Sequence, residues 1–307
     1  MQTLASFFLR RRIALAPAEE RLIEVEPGVQ VLCHCHWQAA RQEALTIVIV
    51  HGLEGSSDSG YMTGIAAKGM AAGMNVVRMN QRNCGGTDAL SPTLYHSGRS
   101  QDIAAVVQNL INQDRISRLA LTGFSMGGNL VLKLAGEWGR ESPPQFRAVA
   151  AVCPAMDLAA SADALHLPSN RLYEYYFVWN LRRRLRAKAR LFPGVFDTSR
   201  MHGVMSLRDF DDKITAFYSG FDGAADYYAR AAAANVVDRI AVPALIIHAA
   251  NDPFIRILPE TRRKIRDNPN ITFMETGDGG HCSFLAAPDG YDGRWAEWKI
   301  VEFMRKF

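Results

Sequence analysis

The sequence predicts an α/β fold in which a mostly parallel, eight-stranded sheet carries helices on both faces. Three observations predict it. Apolar runs of strand length recur along the 307 residues. From the third run onward, most are separated by stretches of helical length, the signature of parallel strands joined by crossover helices. The run "LTIVIV" (45–50) is continuous and β-branched, as in a strand buried on both faces.

The elements follow in order. "RLIEVE" (21–26) and "VQVLCHCHW" (29–37) read as a hairpin turning at Pro27-Gly28. "LTIVIV" is followed by "MNVVRM" (74–79), "RLALTG" (118–123), "RAVAAVC" (147–153), "PALIIHA" (243–249) and "ITFME" (271–275). Helices are expected over roughly 60–72, 98–113, 126–139 and 257–267, and over the C-terminus, where Trp295, Trp298, Val301 and Met304 fall at helical spacing. Almost ninety residues between Cys153 and Pro243 break the rhythm, being rich in Arg, Tyr and Ala without a buried strand. Within them "FVWNLRRRLRAKARLF" places Phe177, Leu181 and Leu185 four apart, an amphipathic helix with a basic outer face. The interval reads as a helical lid over 155–240, inserted into a single domain spanning 1–307.

Composition excludes several function classes. Apolar residues make up 48% and charged residues 21%, and the net charge is only +4. That is no footprint for nucleic acid, which calls for a strong basic excess on one face. No run reaches the roughly 18 apolar residues of a membrane span. The opening "MQTLASFFLRRR" sets its charges after a short apolar run, the reverse of a signal peptide. Five cysteines, odd in number, irregularly spaced and without C-x-x-C, fit a reduced, cytoplasmic compartment.

"LALTGFSMGGNL" (119–130) carries the chemistry. A serine at a tight strand-to-helix turn is lifted above the sheet edge on strained backbone. Gly123 and Gly127 let the flanking strand and helix approach closely, and the helix start favours developing negative charge. This is the G-x-S-x-G nucleophile elbow, with Ser125 as nucleophile. Its partners should follow in the order acid, then histidine. Of eight histidines, four precede Ser125, His166 and His202 lie in the insertion, and His248 lies within a strand. His281, in the loop "GDGGHCSF", remains as base. Asp252 in "NDPF", at the end of a strand, is the expected acid, with Asp157 in "CPAMDL" as its rival and Asp278 a loop residue. The oxyanion hole is expected from the backbone N–H of Met126 and of Leu53, the latter in the glycine-rich "HGLEGSSDSG".

Three loops on three strands now agree. The chain resembles the α/β-hydrolase superfamily, specifically its YheT-like group (the AB-hydrolase-4 group). The matching pieces are "HGLEGSSDSGY" (51–61), "RNCGG" (82–86), "YHSG" (95–98), "GFSMGGN" (123–129), "DFDDKITA" (209–216), "DYY" (226–228), "NDPF" (251–254) and "GGHCSF" (279–284). The resemblance implies an α/β-hydrolase fold and a cofactor-free Ser–Asp–His carboxylester hydrolase, with the triad falling on Ser125, Asp252 and His281. Relatives usually carry two aspartates before Pro-Phe, where this chain has Asn251 first. The resemblance also makes the chain look short at its N-terminus, without the upstream membrane anchor of some eukaryotic relatives.

Other motifs receive plainer readings. In a strand, Cys33 and Cys35 face one way and His34 and His36 the other, so "CHCH" cannot close a zinc cage. The basic run Arg182–Arg190 reads as a solvated helix face, with weak peripheral membrane contact as the alternative. Cys84 and Cys282 fall near the site but not in a nucleophile's place. Tyr95 and His96 are expected to organise a loop. Tyr173, Tyr175, Tyr176, Phe177 and Trp179 suggest an apolar acyl site. The expected reaction is hydrolysis of a small-molecule ester. A thioesterase, amidase or phospholipase with the same triad, or a binding protein on this scaffold, are the alternatives.

Overall fold

The structure is a computed structural model and describes residues 13–307. The opening "MQTLASFFLRRR", from which the absence of a signal peptide was argued, lies outside the described residues.

All eight expected strands form, in one sheet: β1 (Glu19–Glu26), β2 (Val29–His36), β3 (Thr46–Val50), β4 (Asn75–Met79), β5 (Leu119–Phe124), β6 (Phe146–Val152), β7 (Ala244–Ala249) and β8 (Ile271–Thr276). Their spatial order is β1-β2-β4-β3-β5-β6-β7-β8. The β1–β2 hairpin turns at Gly28, whose φ of 75° suits glycine. β1–β2 and β2–β4 are antiparallel and the pairs from β4 to β8 parallel. Helices of eight or more residues are α1 (Gly60–Ala71), α2 (Ser100–Asp114), α3 (Met126–Trp138), α4 (Leu158–Leu165), α5 (Arg171–Leu191), α6 (Ala224–Ala231), α7 (Pro259–Asp267) and α8 (Trp295–Met304).

Strand periodicity sorts the core into two layers. Val48, Val50, Leu119, Leu121 and Ile246 pack on one face with α2 and α3 through Ile103, Val107, Leu110 and Leu130. Ile47, Ile49, Phe124, Leu245 and Ile247 pack on the other with α1 and α8 through Met62, Ile65, Ile300 and Val301. A strand covered on both faces has no solvent side, which is why "LTIVIV" reads as an uninterrupted apolar run.

Cys33 and Cys35 lie in the first layer, while His36, on the opposite face, accepts at Nε2 from Arg78 Nη2 at 3.4 Å. Between β6 and β7 the described residues form helices joined by loops, from α4 to α6, with a π-helical stretch at Asp211–Ala216 and no strand. The loops that end β3, β5, β6, β7 and β8 all open on the same edge, since parallel strands present their carboxyl ends together.

Candidate active site

Ser125 follows β5 and precedes α3 with φ 53° and ψ −118°, a conformation that an L-residue adopts only when its surroundings impose it. The neighbours do so. The Ser125 N–H donates to the Val152 carbonyl at 2.9 Å, and the Ser125 carbonyl accepts from Asn129 at 3.0 Å and Ala155 at 3.2 Å. Glycines on both sides are sterically required: a Cβ on Gly123 would strike the Gly127 backbone, and one on Gly127 the carbonyls of Val50 and His51. The elbow is therefore pressed against the end of β3.

Asp252 and His281 come together. His281 Nδ1 lies 2.8 Å from Asp252 Oδ2, and the other carboxylate oxygen accepts from the N–H groups of Phe254 and Ile255 at 3.1 and 2.9 Å. Burial works against the Asp252 carboxylate, but the neighbouring imidazole and these donors outweigh it and hold its pKa at about 2. Burial likewise opposes charge on His281, yet the Cys282 sulfur and Asp252 raise its pKa well above the ordinary imidazole value.

The histidine loop is tied to the elbow through one carbonyl. Val152 O, which takes the Ser125 N–H, lies 3.7 Å from Cys282 Sγ, and Cys282 Sγ lies 3.8 Å from His281 Nε2. Phe254 packs on the His281 ring with centroids 4.4 Å apart. Phe254, Ser125, Met126 and Leu53 all line one cavity of about 110 Å³, beside Phe177 and Leu181 from α5.

Leu53 sits in a tightly held turn. The Gly52 N–H donates to Tyr61 Oη at 3.0 Å, that of Glu54 to Tyr95 Oη at 3.1 Å, and that of Gly55 to the Gly52 carbonyl at 3.1 Å. Met126 is the first residue of α3, where backbone N–H groups have no partner within the helix. Asp157, the rival acid, is engaged elsewhere: it accepts from Leu258 N–H and Thr261 Oγ1, both at 2.9 Å, and so anchors the start of α7. Asn251 earns its amide. Its Nδ2 donates to Asp278 Oδ1 at 2.7 Å and its Oδ1 accepts from Gly280 N–H at 2.8 Å, holding the loop that carries His281.

Two expectations from the sequence need correction. The basic run is not wholly an outer face: Arg184 and Lys188 share the inward stripe of α5 with Leu181 and Leu185. Arg184 pairs with Glu54 through Nε at 2.9 Å and Nη2 at 3.1 Å, and also donates to the Asn83 carbonyl. Lys188, fully buried, donates to Asn83 Oδ1 at 2.9 Å, to the Asp88 carbonyl at 2.8 Å and to that of Ser91. Helical spacing alone puts both residues on the stripe of Leu181 and Leu185; their charge answers Glu54 and buried loop oxygens rather than solvent. Of Tyr173, Tyr175, Tyr176, Phe177 and Trp179, only Phe177 lines the cavity, where Phe210, Tyr227 and Tyr228 of the same insertion join it. Tyr175, Tyr176 and Trp179 are exposed, and Tyr173 packs at the side of Phe254, centroids 5.5 Å apart.

Of the remaining family-like motifs, Tyr227 ties the insertion to the loop before α2, its Oη accepting from the Ser97 N–H at 2.9 Å, while Tyr228 donates to Asp211 at 2.7 Å within the insertion. Tyr95 donates to Glu54 at 2.5 Å, so it does organise a loop. Sequence reasoning missed the Glu54–Arg184 pair. Its only signal was an acidic residue within the glycine-rich "HGLEGSSDSG" and a basic one on an apolar helix stripe.

A crossover order with the strained turn at its centre is the architecture of α/β hydrolases, and the chain belongs to the family with that fold, whose model matches residues 46–288. Particular relatives narrow this. The chain is similar to YheT of Escherichia coli (strain K12), 28% identical over 100% of this chain and 90% of that one. It is 27% identical to phospholipase ABHD3 of Mus musculus over 78% of its length, spanning only 58% of that protein. It is 28% identical to medium-chain fatty acid ethyl ester synthase/esterase 2 of Saccharomyces cerevisiae, over 85% of this chain and 62% of the relative. The Pyrococcus furiosus esterase Pf2001 shares the fold, with a TM-score of 0.61 at 15% identity over 94% of this chain and 90% of that structure. The family and these relatives identify the chain as a hydrolase. Among the described residues, no helix is long and apolar enough to cross a membrane.

Proposed function

We propose that the chain hydrolyses carboxylic esters through an acyl-enzyme intermediate. Ser125 attacks the ester carbonyl while His281 takes its proton. Asp252 fixes the imidazole through Nδ1 and stabilises it when charged. The N–H groups of Met126 and Leu53 hold the oxyanion. His281 then protonates the leaving alcohol, and later deprotonates the water that releases the acid. No cofactor enters this scheme. The helical insertion over 155–240 serves as a lid whose α5 walls the acyl site, so the substrate is a small-molecule ester with an apolar acyl group.

One observation carries the reading: the histidine paired with buried Asp252 at 2.8 Å stands on a loop that shares the Val152 carbonyl with the strained serine. The test is covalent. A fluorophosphonate probe should label Ser125, mapped by mass spectrometry, and Ser125→Ala should lower kcat on p-nitrophenyl butyrate by about 10⁴ or more. Labelling elsewhere, or full activity in that variant, refutes the assignment. Matched acyl chains on ester, thioester and phospholipid leaving groups then separate the substrate classes.

A further inference from the structure

We propose that Cys153, His281 and Cys282 form a binding site for a thiophilic divalent cation such as zinc, whose occupancy blocks the catalytic base. The two sulfurs and a ring nitrogen of His281 all lie within 4.8 Å of one another, with Cys282 Sγ 3.8 Å from Nε2. Tetrahedral zinc with ordinary bond lengths needs sulfur–nitrogen separations of about 3.6 Å and sulfur–sulfur separations of about 3.8 Å. Cys282 Sγ also lies 4.0 Å from Nδ1, beside the ring rather than on the Nε2 axis, so a change of the Cys282 rotamer is what brings the third donor into line. Among the described residues, no other three histidine, cysteine or acidic donors converge this closely.

The backbone aims these groups at each other from two separate elements. Cys153 follows β6 with φ 42°, and Cys282 lies in the loop after β8 with φ 62°, both left-handed conformations. Cys153 Sγ lies 3.7 Å from the Gly280 carbonyl, on the loop that carries the other two donors. The outer shell is also that of a metal site. Asp252 Oδ2 lies 2.8 Å from His281 Nδ1, the carboxylate–histidine arrangement that fixes the ring and directs Nε2 to a metal.

The charge balances. Both thiols lose their protons to solvent as the cation binds, and two thiolates neutralise a dication in this enclosed place. Three protein ligands leave a fourth corner for water, which is an open site rather than a closed structural cage. The cation occupies the lone pair with which His281 would accept the Ser125 proton, so the bound form is inactive. This inhibitory half rests on the proposed role of His281; the site itself does not.

Cobalt and zinc titrations of the full chain, in chelator-free buffer, test both halves. One equivalent of cobalt should give a thiolate-to-cobalt charge-transfer band that zinc displaces. Zinc should abolish p-nitrophenyl butyrate hydrolysis at the same stoichiometry, with recovery in EDTA. Cys282→Ser and Cys153→Ala should each weaken metal binding at least tenfold, with inhibition measured against each variant's own metal-free rate. Absence of the band in the wild type, or equal zinc affinity in the double variant, overturns the site and leaves the triad reading standing. A saturated band with full activity overturns the inhibitory half and counts against His281 as base.

Discussion

Single side chains around the candidate site hold it in place by hydrogen bonds with little redundancy. Asn251 donates to Asp278 and accepts from Gly280 with one amide. An aspartate there keeps the second bond but turns the first into a contact between carboxylates. Asn251→Asp should therefore cost about 1 kcal/mol in denaturant unfolding, and Asp278→Asn should restore most of it in a double-mutant cycle. Asp211 is a different case. Burial raises its pKa to about 6, against the lowering effect of Tyr228 and Thr215, which both donate to it. Because the folded state holds this proton more tightly than the unfolded one, its contribution is complete below the unfolded pKa. It is lost as pH rises through the folded value. Relative to Asp211→Asn, the wild type should lose up to about 3 kcal/mol between roughly pH 4 and pH 6, then run parallel above it. Thermal melts of both proteins across that range check the sign. Asn251 and the serine were legible as motif letters. The bonds they make were not, since those depend on loops distant in sequence.

Helix α5 shows how an element can carry two messages on one face. Its apolar residues Val178, Leu181 and Leu185 are buried, and the same stripe continues into Arg184 and Lys188. The Arg184 side chain is 16% exposed and its partner Glu54 7%. Removing one partner leaves a buried charge uncompensated, which costs far more than an exposed pair contributes. Arg184→Met should destabilise the protein by about 3 kcal/mol, and Glu54→Gln combined with it should cost less than the two single changes summed. Amide hydrogen exchange should show 171–191 and the turn at 52–55 loosening together in Arg184→Met. Unchanged exchange at 52–55 would show that this helix does not brace that turn. The periodicity of α5 was evident from the sequence, whereas the destination of its charges was not, because periodicity assigns a face and says nothing of what the face meets.

At the scale of the whole molecule, the cavity lies where the insertion crosses the carboxyl edge of the sheet, with Leu53, Met126 and Phe254 from below and Phe177 and Leu181 from above. Its depth is thus a joint property of two parts of the chain. Leu181→Trp should shift kcat/KM toward short acyl esters, and Leu181→Ala toward longer ones. The expected discrimination is about tenfold or more per methylene pair at the crossover length. A p-nitrophenyl ester series from acetate to laurate measures it, and an unchanged profile in both variants would remove α5 from the acyl site.

By itself the sequence determined the strands, their mostly parallel arrangement and the strained serine turn. It did so because buried strands leave uninterrupted apolar runs and because only glycine fits beside such an elbow. Order along the chain and strand-end position also sufficed to nominate Asp252 and His281. Tertiary structure alone decided which charges of α5 turn inward, which of the insertion's aromatics reach the cavity, and that Cys153 and Cys282 meet at His281. Those outcomes depend on contacts between residues up to about 130 positions apart, and a linear pattern records the face a residue occupies but not the partner it finds there.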